Sequence, residues 1–264
     1  MTKGLPKPKI KLTKDGSTTL YSSRFNQHYH NPNGAVAESR HVFFETPRLP
    51  DAINQKETLN IFETGFGTGL NLLLLSEYLK ESESQTVVNY YSVEGFPVDG
   101  QTARDFDFGD NPELNKAKPL LIDIFEDLKP GLNKFELSGQ LTLHLFIGLF
   151  DEFFKTNPIS QKIDFVLHDP FSPDANPDLW TLPVFQNLAS ISRNDALLAT
   201  YCAATSARAA MAVAGWNVAK AKGALGKREM TFASLNPEKL KSFKRINEKR
   251  LIERFEGGDF PEIK

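Results

Sequence analysis

Three acidic residues and one run of glycines carry most of the chemistry that this 264-residue sequence offers. The run Glu63-Thr64-Gly65-Phe66-Gly67-Thr68-Gly69 sets glycines at alternate positions behind an acid. Successive glycines let a backbone turn sharply and come close to a ligand, because no Cβ intervenes. Roughly thirty residues further on, Ser92-Val93-Glu94 offers a carboxylate able to accept both hydroxyls of a ribose. The third acid lies in Leu167-His168-Asp169-Pro170-Phe171-Ser172-Pro173, where two prolines stiffen a loop that also carries an aromatic ring. A carboxylate held in place this way can orient a substrate and take its proton. Plainer roles stay open for each: a tight strand-to-helix corner for the glycines, a surface carboxylate for Glu94, a helix cap for Asp169. Asn176 and Asp178 are better placed for that cap.

Each of these residues needs an element to hold it. Thr58 to Glu63 reads as a buried strand and Leu70 to Leu79 as an apolar helix, which puts the glycines in the turn between them. Thr86 to Val93 is a second strand leading to Glu94, and Leu141 to Ile147 a third. Ile163 to His168 is a fourth, delivering Asp169; His168 then points to the opposite side and is expected to pack. Asp178 to Ala189 reads as a helix with Trp180 in the core, Ala196 to Tyr201 as a fifth strand, and Ser206 to Ala214 as a helix stopped by Gly215. This alternation predicts an α/β fold with a parallel, doubly wound sheet, whose ligands sit beyond the carboxyl ends of the strands. Trp216 to Ala221 and Glu229 to Ser234 are two more strands, joined too closely to be anything but antiparallel. A parallel sheet finished by such a hairpin departs from the nicotinamide-binding plan and suits a Rossmann-like, class I S-adenosylmethionine (SAM)-dependent methyltransferase. The Gly-x-Gly-x-Gly spacing agrees, since a cofactor without pyrophosphate needs no helix terminus reserved for phosphate.

Composition narrows the classes further. With 40% hydrophobic and 24% charged residues the chain is expected to be globular, not disordered or collagen-like. No apolar run reaches the roughly 18 residues of a membrane helix, and Met1 to Pro6 lack the apolar stretch of a secretory signal, so a cytoplasmic protein is expected. Cys202 is the single cysteine, which excludes an intramolecular disulfide and a multi-cysteine zinc site; no metal is expected. Net charge is −2, yet Lys3, Lys7, Lys9, Lys11 and Lys14 share the first 14 residues with no acid. From Trp216 to Arg254, 11 basic residues stand against 4 acidic ones. Such ends are either solvated or the footprint of a polyanion. Residues 1–57 read as an N-terminal extension or lid, 58–236 as the methyltransferase domain and 237–264 as a basic helical tail.

Taken in order, several segments resemble a bacterial tRNA-modification family. They are Asp15-Gly16-Ser17-Thr18-Thr19-Leu20-Tyr21-Ser22, Tyr29-His30 with Gly34-Ala35, and Glu38-Ser39-Arg40-His41-Val42-Phe43. To these add Gly65 through Asn71, Asp169 through Pro173 with Asn176-Pro177 and Trp180, Ala199-Thr200-Tyr201, and Gly226-Lys227-Arg228-Glu229-Met230. The family is the tRNA 5-aminomethyl-2-thiouridine methyltransferase, an MnmC-like methyltransferase domain found free-standing or fused to a flavin oxidase. The resemblance runs from about Leu12 to Ser234. It implies methyl transfer from SAM to the primary amine of 5-aminomethyluridine at the wobble position, with the tRNA anticodon region as partner. By position, Glu63, Gly65, Phe66, Gly67, Gly69, Asn71 and Glu94 would hold the cofactor. Asp169 would be the catalytic carboxylate facing the amine, and Glu38 and Phe171 would contact the substrate. No metal is implied, and any flavin oxidase step would belong to a separate protein.

The chain departs from the family pattern at three places. Where the family has Gly-Asp after the third strand, to contact the adenine amine, this chain has Gly148-Leu149, with Asp151 as the nearest substitute. Asp169-Pro170-Phe171 replaces Asp-Gly-Phe, and Cys202-Ala203-Ala204-Thr205 replaces Thr-Ala-Ala-Gly. Glu38, Arg40 and His41 suit a lid or simple domain packing equally. Two other functions share these features: methylation of a small-molecule or protein amine, and catalytically silent RNA binding on the same fold.

Overall fold

Turn signals at Asp15-Gly16 and Asn31-Pro32 cut the start of the chain into short extended pieces, and these pair with one another. Lys9–Leu12 (β1), Thr18–Ser22 (β2) and Gln27–His28 (β3) form an antiparallel sheet of order β1-β2-β3. The computed structural model describes residues 7–156 and 159–263, so Met1 to Pro6, with Lys3, lie outside the described residues. Thr18 N donates to Asp107 O at 2.6 Å, tying this small sheet to the rest of the chain. A helix over Ala35–Ser39 then runs into a π-helical turn, Arg40–Glu45, followed by a helix over Leu49–Gln55. Arg40 pairs with Glu77 and Phe44 stacks on Tyr78, which docks this extension against the helix Leu70–Glu81.

Strands buried on both faces are built from nearly continuous apolar runs. Thr58–Thr64 (β4) and Val87–Glu94 (β5) are of this kind and run parallel. Gly131–Glu136 (β6) and Leu141–Ile147 (β7) form a hairpin, with β7 parallel to β5. Ile163–His168 (β8) lies on the other side of β4, and Ser192–Thr200 (β9) beyond it, both parallel. Asn217–Ala221 (β10) and Met230–Ser234 (β11) are the expected antiparallel hairpin, and Lys244–Arg245 (β12) adds a two-residue margin. The order β12-β10-β11-β9-β8-β4-β5-β7-β6 reverses direction at β4, so the crevice at a topological switch point lies over β4, β5 and β8. A single antiparallel finish was expected; β6 gives the opposite margin one too. Its alternation of half-buried and exposed residues, with Lys134 and Glu136 outward, belongs to an edge strand and carries no apolar run.

Helices cover both faces. Leu70–Glu81 buries Leu72, Leu73, Leu74 and Leu75 on one, with the N-terminal extension outside it. Leu182–Ile191 and Thr205–Val213 cover the other. The helix expected from Asp178 is two pieces, a 3-10 turn over Pro177–Trp180 and the helix from Leu182, with Trp180 fully buried. The C-terminal stretch expected as a basic helical tail holds a helix over Glu248–Glu256 that packs on Thr205–Val213, and Leu251, Phe260 and Ile263 are buried there. Most of its cations are matched by acids: Lys239 by Asp195, Lys241 by Glu238, Arg245 by Glu248, Lys249 by Glu253, Arg254 by Asp259. Among the described residues no helix is long and apolar enough to cross a membrane.

At the end of the sheet away from the crevice, Asp164 sits at a register shift between β8 and β9 with its side chain only 3% exposed. It accepts from Asn60 N of β4 at 2.9 Å and pairs with Lys56 and Arg193. Both cations reach water, so the loss on removing the carboxylate is mainly that of the buried β4 amide. Asp164→Ala is expected to cost about 2 kcal/mol of stability in urea titration and to leave ligand binding at the far end of the strands unchanged.

Candidate functional site

The loop after β4 is shaped by glycines in left-handed conformations. Gly65 (φ 87°) donates to Val93 O at 3.0 Å, and a Cβ there would stand 3.2 Å from Asp169 O, so glycine suits both the left-handed backbone and the close approach of the β4 and β8 loops. Gly67 N donates to Glu94 Oε2 at 2.9 Å, and Phe96 N to Oε1 at 2.7 Å. Burial pushes the Glu94 carboxyl up while these amides pull it down. Each carboxylate oxygen keeps a lone pair for a further donor.

The loop after β8 is anchored at its first four residues. Asp169 N donates to Thr64 O (3.1 Å), Tyr201 Oη to Pro170 O (2.7 Å), Trp180 Nε1 to Phe171 O (2.8 Å), and Ser172 N and Oγ to Gln27 Oε1 (3.2 and 2.7 Å). His168 faces away as expected, buried against Trp180 and Phe185, its Nε2 donating to Leu179 O at 3.0 Å. Burial lowers its pKa to about 3, so it is a neutral packing residue.

Between the two loops lies a cavity of about 900 Å³. Gly65, Gly67, Asn71, Glu94, Asp151, Asp169, Phe171 and Glu38 all line it, so the structure brings most of the expected site residues together. Three stand differently. Glu63 is beneath the cavity, 1% exposed, accepting from Asn71 Nδ2 (2.8 Å) and Ser92 Oγ (3.1 Å). A strand residue one step before the glycine loop points into the sheet's helical layer, so its carboxylate props Asn71 and does not line the space above. Phe66 reaches the cavity wall, but its ring is 2% exposed and packs edge-on against Phe125. Gly69 (φ 75°) precedes the helix and does not line the cavity; a Cβ there would stand 2.5 Å from Leu121 Cδ2, so glycine serves helix packing.

Asn71 Nδ2 also donates to Asp169 Oδ2 at 3.3 Å, linking two carboxylates through one amide. Burial raises the Glu63 carboxyl to about 8 against its hydrogen bonds from Asn71 and Ser92. Burial, then the charges of Glu63 and Glu38, raise Asp169 well above the usual carboxylate range; Asn71 and Lys227 oppose them. Asn71 Oδ1 and Thr64 Oγ1, both buried in residues that line the cavity, have no partner within the protein. Orphaned buried polar atoms are rare and fit a ligand that brings its own hydrogen-bonding groups.

Glu38 faces the cavity, accepting from Asn31 N and Nδ2 (each 3.2 Å) and from Lys227 Nζ (2.7 Å). Arg40 and His41 are turned out of the cavity: Arg40 to Glu77, and His41 Nε2 donating to Lys222 O at 2.9 Å. Asp151 is exposed at the rim beside Leu149. Arg24, Phe25 and Phe96 line the cavity without having had a sequence signal, drawn from the β2–β3 connection and the loop after β5; Tyr29, part of the resemblance, lines it from the segment after β3. Phe25 stacks on Phe171 with centroids 4.5 Å apart, and Tyr29 meets Phe171 edge-on at 5.0 Å.

Comparison with known proteins places this geometry. Residues 112–236 match a family of S-adenosyl-L-methionine-dependent methyltransferases. The chain is 35% identical over 224 residues to the tRNA 5-methylaminomethyl-2-thiouridine biosynthesis bifunctional protein MnmC of Leptospira borgpetersenii, covering 83% of this chain and 34% of that protein. The protein of that name in Marinomonas sp. is 31% identical over 236 residues, 88% of this chain and 34% of the relative. The chain thus spans about a third of the length of these curated relatives. The crystal structure of MNMC2 from Aquifex aeolicus superposes with a TM-score of 0.77 at 25% identity, covering 96% of this chain and 76% of that one.

The Glu63 carboxyl, at about 8 here against 4.5 ordinarily, stays protonated in the folded chain where the unfolded chain has ionised. Its contribution to stability is therefore full at low pH and lost as pH rises through about 8. Between about pH 6 and about pH 8.5 the wild type should lose melting temperature relative to Glu63→Gln, which cannot ionise; parallel profiles would remove Glu63 as the proton carrier.

Proposed function

Because the chain carries an MnmC-like, SAM-dependent methyltransferase domain, we propose that it methylates the primary amine of 5-aminomethyluridine, or its 2-thio form, at the tRNA wobble position. The product is 5-methylaminomethyluridine. The observation that carries this reading is Asp169: a carboxylate with a strongly raised pKa, on a loop fixed at four consecutive residues, in one cavity with the glycine loop and Glu94. A cytoplasmic setting and a separate protein for any flavin oxidase step belong to the same proposal.

Bound SAM supplies a methyl group activated by its sulfonium sulfur. Gly65 and Gly67 let the backbone approach it, Glu94 has lone pairs left for the ribose hydroxyls, and Thr64 and Asn71 offer their orphaned polar atoms. Asp151 at the rim is assigned the adenine amine. A substrate ammonium cannot attack while it holds its third proton. Asp169 accepts that hydrogen bond, takes the proton on a carboxylate oxygen, and leaves the nitrogen lone pair free for the methyl group. Its raised pKa shortens the gap to an alkylammonium, which eases the transfer. The charge of Glu38, which helps raise it, also favours a cation beside it. The anchored loop holds the acceptor in place before the substrate arrives, so little ordering remains to be done at reaction.

Deletion of the gene should leave 5-aminomethyl-(2-thio)uridine unmethylated in tRNA digests analysed by mass spectrometry, and the purified chain with SAM should restore the methyl group. Unchanged tRNA would sink the substrate assignment. Asp169→Ala is expected to lose about 10²–10⁴ in single-turnover rate while SAM affinity by calorimetry stays within a few fold. Glu94→Ala should weaken SAM binding by about 1–3 kcal/mol, as for a lost charge-assisted hydrogen bond.

A further inference from the structure

We propose that the tip of the β2–β3 hairpin, Arg24-Phe25-Asn26, seats the substrate's base, with Phe25 as its stacking partner and Arg24 as the contact for a neighbouring phosphate. This rests on the tRNA reading above and names residues that it leaves unassigned. A hairpin tip ordinarily faces open solvent. Phe25 instead stays half-buried at the cavity and touches rings that are half-buried there too: Phe171 at 4.5 Å in a stacked arrangement and Phe96 at 5.6 Å edge-on. Part-exposed aromatic faces from separate loops, gathered at a cavity, are the platform on which unpaired bases stack.

The cation beside it fits the same ligand. Arg24 is exposed, and among the described residues it has no ion pair with an acid. Its guanidinium lies 3.8 Å from the centroid of Phe96. Stacked on a ring, a guanidinium keeps its N–H edge free, which suits a phosphate oxygen. In the β10–β11 connection, Lys222 and Arg228 are exposed and likewise form no ion pair among the described residues, and Lys227 between them lines the cavity itself.

Position ties this platform to the chemistry. Phe171 is two residues beyond Asp169, and Gln27 at the root of the hairpin holds Ser172 of the same loop. A base held by Phe25 and Phe171 is therefore registered against the loop that carries the carboxylate. A lysine side chain of a protein would bring neither a planar ring for this platform nor a phosphate for Arg24, so the arrangement favours RNA.

The test uses the full chain with tRNA bearing unmethylated 5-aminomethyluridine, reading steady-state kinetics, SAM affinity by calorimetry and tRNA affinity across a salt series. Phe25→Ala should raise KM for tRNA by about 5- to 100-fold, as for one lost base stack, with SAM affinity held within about twofold. Phe25→Tyr should restore KM and Phe25→Leu should not, which separates stacking from bulk. Arg24→Ala should weaken tRNA binding and reduce the slope of log affinity against log salt by about 0.7, one phosphate on a single strand. An unchanged KM in Phe25→Ala, equal rescue by leucine, or a matching loss of SAM affinity overturns the stacking role; an unchanged slope overturns the phosphate contact. A wild-type chain that fails to methylate this tRNA overturns the underlying reading and this inference with it, whereas an active wild type matched by Phe25→Ala overturns the inference alone.

Discussion

Two carboxylates share one neutral amide at the floor of this site, and much of the site's character follows from that economy. Asn71 Nδ2 donates to Glu63 below and to Asp169 above. Neither acid has a cation in direct contact; Lys227, the nearest opposing charge acting on Asp169, is already held by Glu38. Burial therefore keeps both pKa values high, helped at Asp169 by the charges of Glu63 and Glu38 and at Glu63 by that of Glu94. A site wired in this way is short of positive charge, and an incoming ammonium relieves it. The same amide fixes which way Asn71 points and so leaves Oδ1 as the orphan.

The strength of the arrangement comes from backbone that cannot drift. Gly65 allows the β4 and β8 loops to touch, and the loop from Asp169 to Ser172 is bonded in turn to β4, to Tyr201 at the end of β9, to Trp180 and to Gln27 of the N-terminal hairpin. The last of these bonds makes the extension a functional part of the cavity as well as a cover for one face.

The central strands were legible because burial on both faces imposes apolar runs that survive without context, and the β10–β11 hairpin because its short connection permits one direction only. β6 was not, since an edge strand with Lys134 and Glu136 outward has the look of a loop. The π-helical turn at Arg40–Glu45 also escaped, because one extra residue in a turn leaves no periodic mark. In the site, residue type and position after a strand singled out Asp169 and Glu94, and the family resemblance added Asn71; all three line one cavity. Of the other expected cofactor residues, Glu63 and Gly69 lie beneath the cavity and the Phe66 ring packs into its wall, because facing depends on how the turn leaves the strand. Phe25 and Phe96 were illegible for another reason: single aromatic residues in separate loops acquire meaning only when folding gathers them.

Both margins of the main sheet end in strands that offer a neighbour little to pair with. On one side stands β6 with Lys134 and Glu136 outward; on the other, β12 is two residues long and both are cationic. A second copy extending the sheet would have to lay its backbone along those charges or grip a stub. Charge at both margins thus disfavours ribbon-like growth by edge-to-edge strand pairing.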